Sequence, residues 1–327
     1  MDTTEQFLQL CALAEVCDGV SELESLLVGI RDVNETDELG LSPLWHAVEY
    51  NEHVCVIETF LNAGAEVTFD IVSEAVIHNR NPQVAKLLFK KLDQVSQKER
   101  DLLFLLAAAA NTHDHLVRFF LDAGASTDAT MPMDLYLDPP EELWDEGEYD
   151  SLWNLDDQEV AQNALVVAMY ENPEPAGMLR TLLSLGVNPN AVDSEGFPVL
   201  IHALDNPDLV QILLDGGSNP ATVDQHGMNA LMHACASDVH NSALVILPHI
   251  DDVNAISHTG ETALHYALGC HLDDNVAVVA ALIEAGSDVN KPDGDGLLPL
   301  EIARFNYCSQ LIIDLLISNG AHMGEVS

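Results

Sequence analysis

The feature that most constrains this chain is an internal repeat with a period of roughly 30 to 34 residues. Clear copies begin at Asp37, Asp193, Asp224, Ser257 and Asp293. A unit of this size cannot bury its apolar side alone, so successive units stack and build one continuous core. We therefore expect a repeat protein in which each unit contacts mainly its sequence neighbours.

Each copy begins with a four-residue turn that ends in glycine. The turns are Asp37-Glu38-Leu39-Gly40, Asp193-Ser194-Glu195-Gly196, Asp224-Gln225-His226-Gly227, Ser257-His258-Thr259-Gly260 and Asp293-Gly294-Asp295-Gly296. Glycine tolerates the positive φ of such a turn, and an aspartate at the first place can close it through its carboxylate. The pattern predicts a short hairpin at the start of every unit.

Two helices are predicted after each turn. The first begins at Ser42-Pro43-Leu44 or Thr262-Ala263-Leu264, where a hydroxyl can cap the free N–H groups and proline fits the first helical position. The second has apolar residues at helical spacing, as in 278–283, and ends at glycine, as in Ala285-Gly286-Ser287. The unit is thus a hairpin followed by a helix pair.

These residues resemble the ankyrin family, whose pattern is a D-x-x-G turn, then T-P-L-H-x-A, then L-L-x-x-G-A-x-x-N. The closest copy combines residues 261–267 (ETALHYA) with residues 284–290 (EAGSDVN). The resemblance covers nearly the whole chain and implies an all-α repeat solenoid of stacked helix–turn–helix ankyrin repeats with short hairpin fingers. It also implies a protein-binding module rather than an enzyme.

The resemblance divides the chain into four parts. Residues 1–36 are expected to form an N-terminal capping repeat, and 37–128 a run of repeats. Two of these, 70–98 and 101–128, keep the paired helices but lose the turn. An acidic and aromatic insertion occupies 129–160, and repeats with a C-terminal cap fill 161–327, which makes about nine units with the N-terminal cap.

The charge of the chain restricts its ligands. Eleven Lys and Arg against 54 Asp and Glu give a net charge of −43, far beyond the magnitude of about 2 to 8 that keeps a small domain soluble. The charge disfavours nucleic acid and anionic membrane as direct ligands, because both require Lys and Arg to replace counterions, and we expect neither. Self-repulsion on this scale costs stability, which favours a functional reason, namely a basic protein partner.

The insertion is the first candidate binding surface, since it combines carboxylates with aromatic residues and has no basic residue. Acidic residues attract a cationic partner electrostatically during its approach, and Trp and Tyr are common anchors of protein interfaces. The alternative is a solvated loop whose aromatic side chains pack back onto the repeats. The predicted contact residues are Asp138, Glu141, Glu142, Trp144, Asp145, Glu146, Glu148, Tyr149, Asp150 and Trp153.

The family resemblance implies a second surface, because partners of ankyrin repeats usually lie against the concave side, on the turn tips and first helices. The matching positions here are Glu195, Phe197, Asp205, His226, Met228, His258, Glu261, Asp295 and Phe305. For the apolar members the alternative is packing within the solenoid. His265 stands at the family's usual histidine, whereas His46, His202 and His233 fall one place later and have no assigned role.

The sequence predicts no catalytic, cofactor or metal site. There is no nucleophile motif, phosphate-binding glycine loop or H-E-x-x-H. The turn 293–296 resembles the start of a calcium loop, but the acidic residue that should complete it is missing. His113 and His115 lack further zinc ligands at a suitable spacing.

We expect a protein that neutralises a basic partner, as an immunity or antitoxin type inhibitor of a toxin or nuclease does. The alternatives are a DNA mimic that inhibits a DNA-binding defence protein, and a scaffold whose acidity serves only solubility. The start of the chain lacks a positively charged signal, and its six cysteines form no disulfide framework. We therefore expect a cytoplasmic protein that is monomeric before it binds.

Overall fold

A computed structural model of the chain describes residues 9–10, 12–13, 20–30, 32–110, 114–132, 161–237, 239–269 and 275–324. The chain divides into two compact units, residues 1–174 and 175–327, called here the N-terminal and C-terminal units. The predicted contact residues between Asp138 and Trp153 lie outside the described residues.

The N-terminal unit is a stack of helix pairs that begins with α1 (Ser21–Leu27). The following helices are α2 (Pro43–Tyr50) and α3 (Val54–Asn62), α4 (Phe69–Ile77) and α5 (Pro82–Phe89), α6 (Gln97–Ala110) and α7 (Asp114–Asp122), and α8 (Ala164–Glu171). The first helices α2, α4, α6 and α8 pack in a row. Phe60, Phe104 and Phe120 are fully buried between the helices and form the centre of the core.

Several helices begin where the sequence offers a side-chain cap. Ser42 accepts a hydrogen bond from the N–H of Trp45 ahead of α2, with Pro43 at the first helical position. Ser96 and Glu99 form a reciprocal capping box, in which each side chain accepts a hydrogen bond from the other's backbone N–H. Because of this box, α6 begins at Gln97 rather than at the expected border of residue 101, and its extra turn replaces the missing finger.

A short antiparallel strand pair closes the base of the insertion. Strand β1 (Thr130–Pro132) pairs with β2 (Ala161–Asn163), with Thr130 opposite Asn163 and Met131 opposite Gln162. The Asn163 side chain then accepts hydrogen bonds from the N–H groups of Leu165 and Val166 and caps α8. The two ends of the segment 133–160 therefore meet at one place in the N-terminal unit.

The C-terminal unit repeats the same helix pairs with complete fingers. Its helices are α9 (Pro175–Ser184), α10 (Val199–His202), α11 (Pro207–Asp215), α12 (Ala230–Ala236), α13 (His240–Ile246) with a 3-10 turn (Leu247–His249), α14 (Ala263–Gly269), α15 (Val276–Glu284), α16 (Pro299–Phe305) and α17 (Gln310–Ser318). The first helices α10, α12, α14 and α16 form one row, and the second helices α9, α11, α13, α15 and α17 form another. The prediction of an all-α repeat solenoid is confirmed.

An asparagine near the end of several units links neighbouring repeats. The Asn254 amide donates to the carbonyl of Gly286 at 3.0 Å, and its oxygen accepts from the N–H of Asp288 at 2.7 Å. The same double contact is made by Asn34, Asn190 and Asn290. Each such asparagine joins its own repeat to the next and sets the spacing between them.

In the described part of the chain, no helix is long and apolar enough to span a membrane.

Candidate protein-binding surface

In the four fingers that begin with an aspartate, this residue closes the turn, as the sequence predicts. Asp193 Oδ1 accepts from the N–H groups of Glu195 at 2.9 Å and Phe197 at 2.8 Å. Asp37, Asp224 and Asp293 bind the corresponding N–H groups of their own turns. With the carboxylate turned inward, the side chain two places later, such as Glu195, is exposed at the tip. Asp293 makes the contacts of a structural turn, in which its Oδ1 accepts from the N–H groups of Asp295 and Leu297.

Three histidines stand one place later than the usual histidine of the ankyrin family, and they bind the same aspartates. Nε2 of His46, His202 and His233 lies 3.0, 2.9 and 2.8 Å from Oδ2 of Asp37, Asp193 and Asp224 respectively. In the repeat that begins at Ser257, two hydroxyl groups replace the aspartate and the histidine. The Tyr266 hydroxyl donates to the Ser257 hydroxyl oxygen at 3.1 Å. These residues tie each first helix to its own finger, so they hold the tips in position.

The pKa of Asp224 reflects this geometry. Burial opposes its ionisation, but the N–H groups of Met228 and His226 and the imidazole of His233 together outweigh burial and lower the pKa below its ordinary value. Asp37 behaves in the same way: burial opposes ionisation, and Leu41, Leu39 and His46 lower the pKa. Both carboxylates are structural anions and are not available for proton transfer near neutral pH.

His265 links two repeats instead of binding its own finger. Its Nδ1 accepts from the N–H of Thr262 at 3.0 Å, and its Nε2 lies 3.0 Å from the carbonyl oxygen of Lys291 in the following repeat. Burial lowers the pKa of His265, and the carbonyl of Lys291 and nearby carboxylates only partly oppose this. The neutral ring thus serves as a fixed link with Nε2–H as the donor.

Neighbouring fingers of the C-terminal unit are joined by backbone hydrogen bonds. The N–H of His258 donates to the carbonyl of His226 at 2.9 Å, and the N–H of Gly294 donates to the carbonyl of Thr259 at 3.0 Å. The tips that carry His226, His258 and Asp295 therefore stand side by side. We call these three tips the finger ridge.

The predicted contact residues of this unit differ in exposure. Glu195, Asp205, His226, His258, Asp295 and Phe305 are exposed, whereas Phe197, Met228 and Glu261 are half-buried. The Phe197 ring packs edge-on against His233 of the next repeat, with 6.0 Å between ring centroids. This contact supports the packing alternative for Phe197.

Two aromatic side chains lie on the surface beside the last helix pair. Phe305 is 81% exposed, and Tyr307, which the sequence did not point to, is 90% exposed. Tyr307 also has a positive φ of 55°, a conformation that non-glycine residues seldom adopt. The sequence signal for this pair is the short F-N-Y segment, which begins at Phe305, the last residue of α16.

The C-terminal unit carries an anionic surface that lacks a basic counterpart. Residues 175–327 contain nineteen Asp and Glu but only Arg180, Lys291 and Arg304 as Lys and Arg. Within the described residues of this unit, the carboxylates in ion pairs belong to Asp193 and Asp224, and their partners are histidines. Lys291 donates instead to the carbonyl of Asn254. The exposed acids are therefore free to attract a cation from outside.

The chain matches a known family over residues of both units. A family model described as ankyrin repeats (3 copies) matches residues 165–257 and 201–293. Residues 165–293 of this chain carry ankyrin repeats. Ankyrin repeats imply a protein-binding domain, and this fold is typically a non-catalytic scaffold for protein interactions.

The fold is also seen in a solved structure. An ankyrin repeat domain from Acinetobacter baumannii AYE is 22% identical, with a TM-score of 0.52 over 67% of this chain and 98% of that one. At this identity the likeness concerns the fold alone. Among curated proteins no match to this chain was found.

Proposed function

We propose that the chain binds a basic protein and inhibits it by covering its basic face, as an immunity or antitoxin type inhibitor of a toxin or nuclease does. The proposal is carried by the anionic surface of the C-terminal unit, whose exposed acids have no Lys or Arg partner among the described residues. A surface of one sign costs stability through self-repulsion, and a partner of the opposite sign recovers that cost on binding.

The charge also gives the inhibitor a kinetic advantage. A strongly anionic surface raises the association rate with a cationic protein by about 10 to 10³-fold at low salt, and added salt reduces this gain. An inhibitor of a toxin or nuclease must capture its target before damage occurs. Fast electrostatic capture suits that task better than it suits a passive scaffold.

Affinity after capture requires anchors that charge alone does not provide. Exposed aromatic side chains supply most of the binding energy in many interfaces. Phe305 and Tyr307 are the most exposed aromatic residues of the C-terminal unit in its described part. We propose that they contact the partner together with the acids at the tips, and that the predicted aromatic residues of the insertion, such as Trp144 and Trp153, add to them.

The test compares two triple variants with the same change in charge. The surface variant combines Glu195→Gln, Asp205→Asn and Asp295→Asn, whose side chains are exposed. The turn contacts of Glu195 and Asp295 use their backbone N–H groups, which these substitutions keep. The control variant combines Asp208→Asn, Asp251→Asn and Glu284→Gln, which are also exposed but are not among the predicted contact residues of the concave side. Each protein is used to capture partners from host extract at low and at high salt.

We expect the wild type and the control to capture the same basic protein at low salt, and the surface variant to capture markedly less of it. The purified partner should then lose its toxic or nuclease activity when the wild type is added. A captured general DNA-binding protein would instead favour the DNA mimic. Capture of neutral or acidic proteins, or equal capture by both variants, would overturn the proposal.

A further inference from the structure

An open cleft of about 470 Å³ lies in the N-terminal unit, where the two repeats without fingers meet. Its walls come from the end of α5, the loop that leads into α6, the first turns of α6 and the end of α7. The residues that matter here are Phe89, Lys90, Leu92, Arg100, Phe119 and Asp122. The size is within the range of small-ligand sites, about 300 to 1,000 Å³.

The cleft is unusual in this acidic chain because its cations have no carboxylate partner. In the described N-terminal unit, the Lys and Arg residues that form ion pairs are Arg80 and Arg118, and neither lines the cleft. Lys90 is exposed at the rim. Asp122 is the one carboxylate among the lining residues, and its oxygens lie outside ion-pair distance of both Lys90 and Arg100.

Arg100 is held in place but only partly satisfied. One terminal nitrogen of its guanidinium donates to the carbonyl of Val95 at 2.8 Å. The Nε–H is buried and has no acceptor within hydrogen-bond distance among the described residues. A buried donor of this kind normally finds a partner, and a charged one favours an anion.

The other wall of the cleft is aromatic. Phe89 packs edge-on against Phe119 and Phe120, with ring centroids 5.5 and 5.4 Å apart. The Lys86 ammonium lies 5.5 Å above the Phe119 ring and adds positive charge beside the same wall. An apolar surface therefore stands next to a cationic one in a single opening.

We propose that this cleft binds a carboxylate carried on an aromatic or aliphatic body. The carboxylate would pair with Arg100 and Lys90, and the apolar body would lie against Phe89 and Phe119. The ligand is either a small organic acid or the C-terminal carboxylate of a peptide that ends in an apolar residue. This site is separate from the anionic surface of the C-terminal unit and has the opposite charge preference.

The net charge of −43 does not prevent anion binding here. At physiological salt the screening length is about 8 Å, so distant carboxylates contribute little at the cleft. The local balance is set by Arg100, Lys90 and the nearby Lys86 against Asp122. Removal of Asp122 should therefore strengthen binding of an acid and leave binding of its uncharged amide nearly unchanged.

The experiment titrates the whole chain with two probes, 3-phenylpropionate and the peptide acetyl-Gly-Gly-Phe with a free carboxylate. The amide of each probe serves as the uncharged control. Binding is followed by NMR through the Arg100 Nε–H signal, assigned from the variant that lacks it. The variants are Arg100→Gln, Lys90→Gln and Asp122→Asn, with Lys91→Gln as the matched control, because Lys91 is the exposed neighbour of Lys90 and does not line the cleft.

We expect at least one acid probe to shift the Arg100 signal and to bind about tenfold or more tightly than its amide, the usual difference for a charge-assisted hydrogen bond. Arg100→Gln and Lys90→Gln should weaken binding, Asp122→Asn should strengthen it, and Lys91→Gln should change it less than threefold, roughly the limit for an exposed charge. The probe that binds more tightly identifies the source of the carboxylate.

Three results would overturn the proposal. They are no shift with either acid, equal binding of acid and amide, and equal loss in Lys90→Gln and Lys91→Gln. Since Arg100 also contacts Val95, its variant is checked for an unchanged melting temperature. If Arg100→Gln unfolds, Lys90→Gln and Asp122→Asn still decide the outcome, because both side chains are exposed and removable without a packing change.

Discussion

Nε2 of His233 lies 2.8 Å from Oδ2 of Asp224, nine residues earlier in the chain. The aspartate belongs to the finger and the histidine to the first helix, so the pair fixes the angle between them. The Phe197 ring of the preceding repeat rests against the same imidazole. The imidazole of His233 therefore joins a finger, the first helix of that repeat and the preceding repeat.

We predict that loss of the Asp224 carboxylate destabilises the C-terminal unit. Asp224→Ala leaves the N–H groups of His226 and Met228 and the ring of His233 without their acceptor, which should lower the free energy of unfolding by about 2 to 4 kcal/mol. Asp224→Asn keeps one acceptor oxygen and should cost about half as much. Urea unfolding followed by circular dichroism measures both, and equal losses would contradict the assignment of the two oxygens.

The same residue should make stability depend on pH. Because the pKa of Asp224 is lowered in the folded chain, its contribution is fully present above the ordinary aspartate value of about 3.9 and is lost as the pH falls through the lowered folded value. Because the other carboxyl groups titrate in the same pH range, the effect of Asp224 is isolated by the difference in unfolding free energy between the wild type and Asp224→Asn. This difference should shrink between pH 6 and pH 3, and a constant difference would contradict the pKa direction.

The sequence was enough to predict the repeat, its caps and its turns, because each depends on residues close together in the chain. Asp193 and Gly196 form the turn as expected, and the family model confirms the ankyrin repeats. The role of His202 could not be predicted in this way. Its partner Asp193 is nine residues away, and only the path of the chain around the finger brings the two together.

The candidate sites were less predictable for a similar reason. The exposure of Glu195 and Phe305 follows from their places in the repeat, but the partial burial of Phe197 depends on His233 in the next repeat. The cleft around Arg100 was not foreseen, because the two repeats that form it depart from the family pattern. A helix extended by the capping box of Ser96 brings Arg100 there.

His265 offers a second pH prediction, with a different window. Its pKa is lowered in the folded chain, so only the unfolded chain gains a proton as the pH falls below the ordinary value of 6.5. Its contribution to stability is fully present above that value and declines as the pH drops towards the lowered folded value. His265→Gln should remove this part of the pH dependence of the unfolding free energy. At pH 8 it should lower the unfolding free energy by about 1 to 3 kcal/mol. An unchanged slope between pH 7 and pH 5 would contradict the prediction.

The contact between neighbouring fingers can be tested with two glycines of one turn. A Cβ at residue 294 would lie 2.3 Å from the carbonyl oxygen of Thr259, whereas one at Gly296 would meet nothing within 4 Å. Gly294→Ala should cost about 2 to 3 kcal/mol through this clash, and Gly296→Ala about 1 kcal/mol through its positive φ alone. Amide exchange at residue 294 should accelerate only in Gly294→Ala, and acceleration in both would point to general loosening of the turn.

The last prediction concerns the fingerless repeat that begins at α6, where the linking asparagine is absent. Gln97 donates there to the carbonyl of Gly124 at 2.9 Å, and Asp101 accepts from the N–H of Ser126 at 2.7 Å. The two side chains, joined to each other at 2.8 Å, reproduce the double contact that Asn254 makes alone.

Asp101→Ala should therefore lower the unfolding free energy by about 1 to 2 kcal/mol, as Asn254→Ala should in the other unit. Lys98→Ala, an exposed change on the same helix, should cost less than about 0.5 kcal/mol. If Asp101→Ala proves no more harmful than Lys98→Ala, the degenerate repeat is held to its neighbour by apolar packing rather than by this pair.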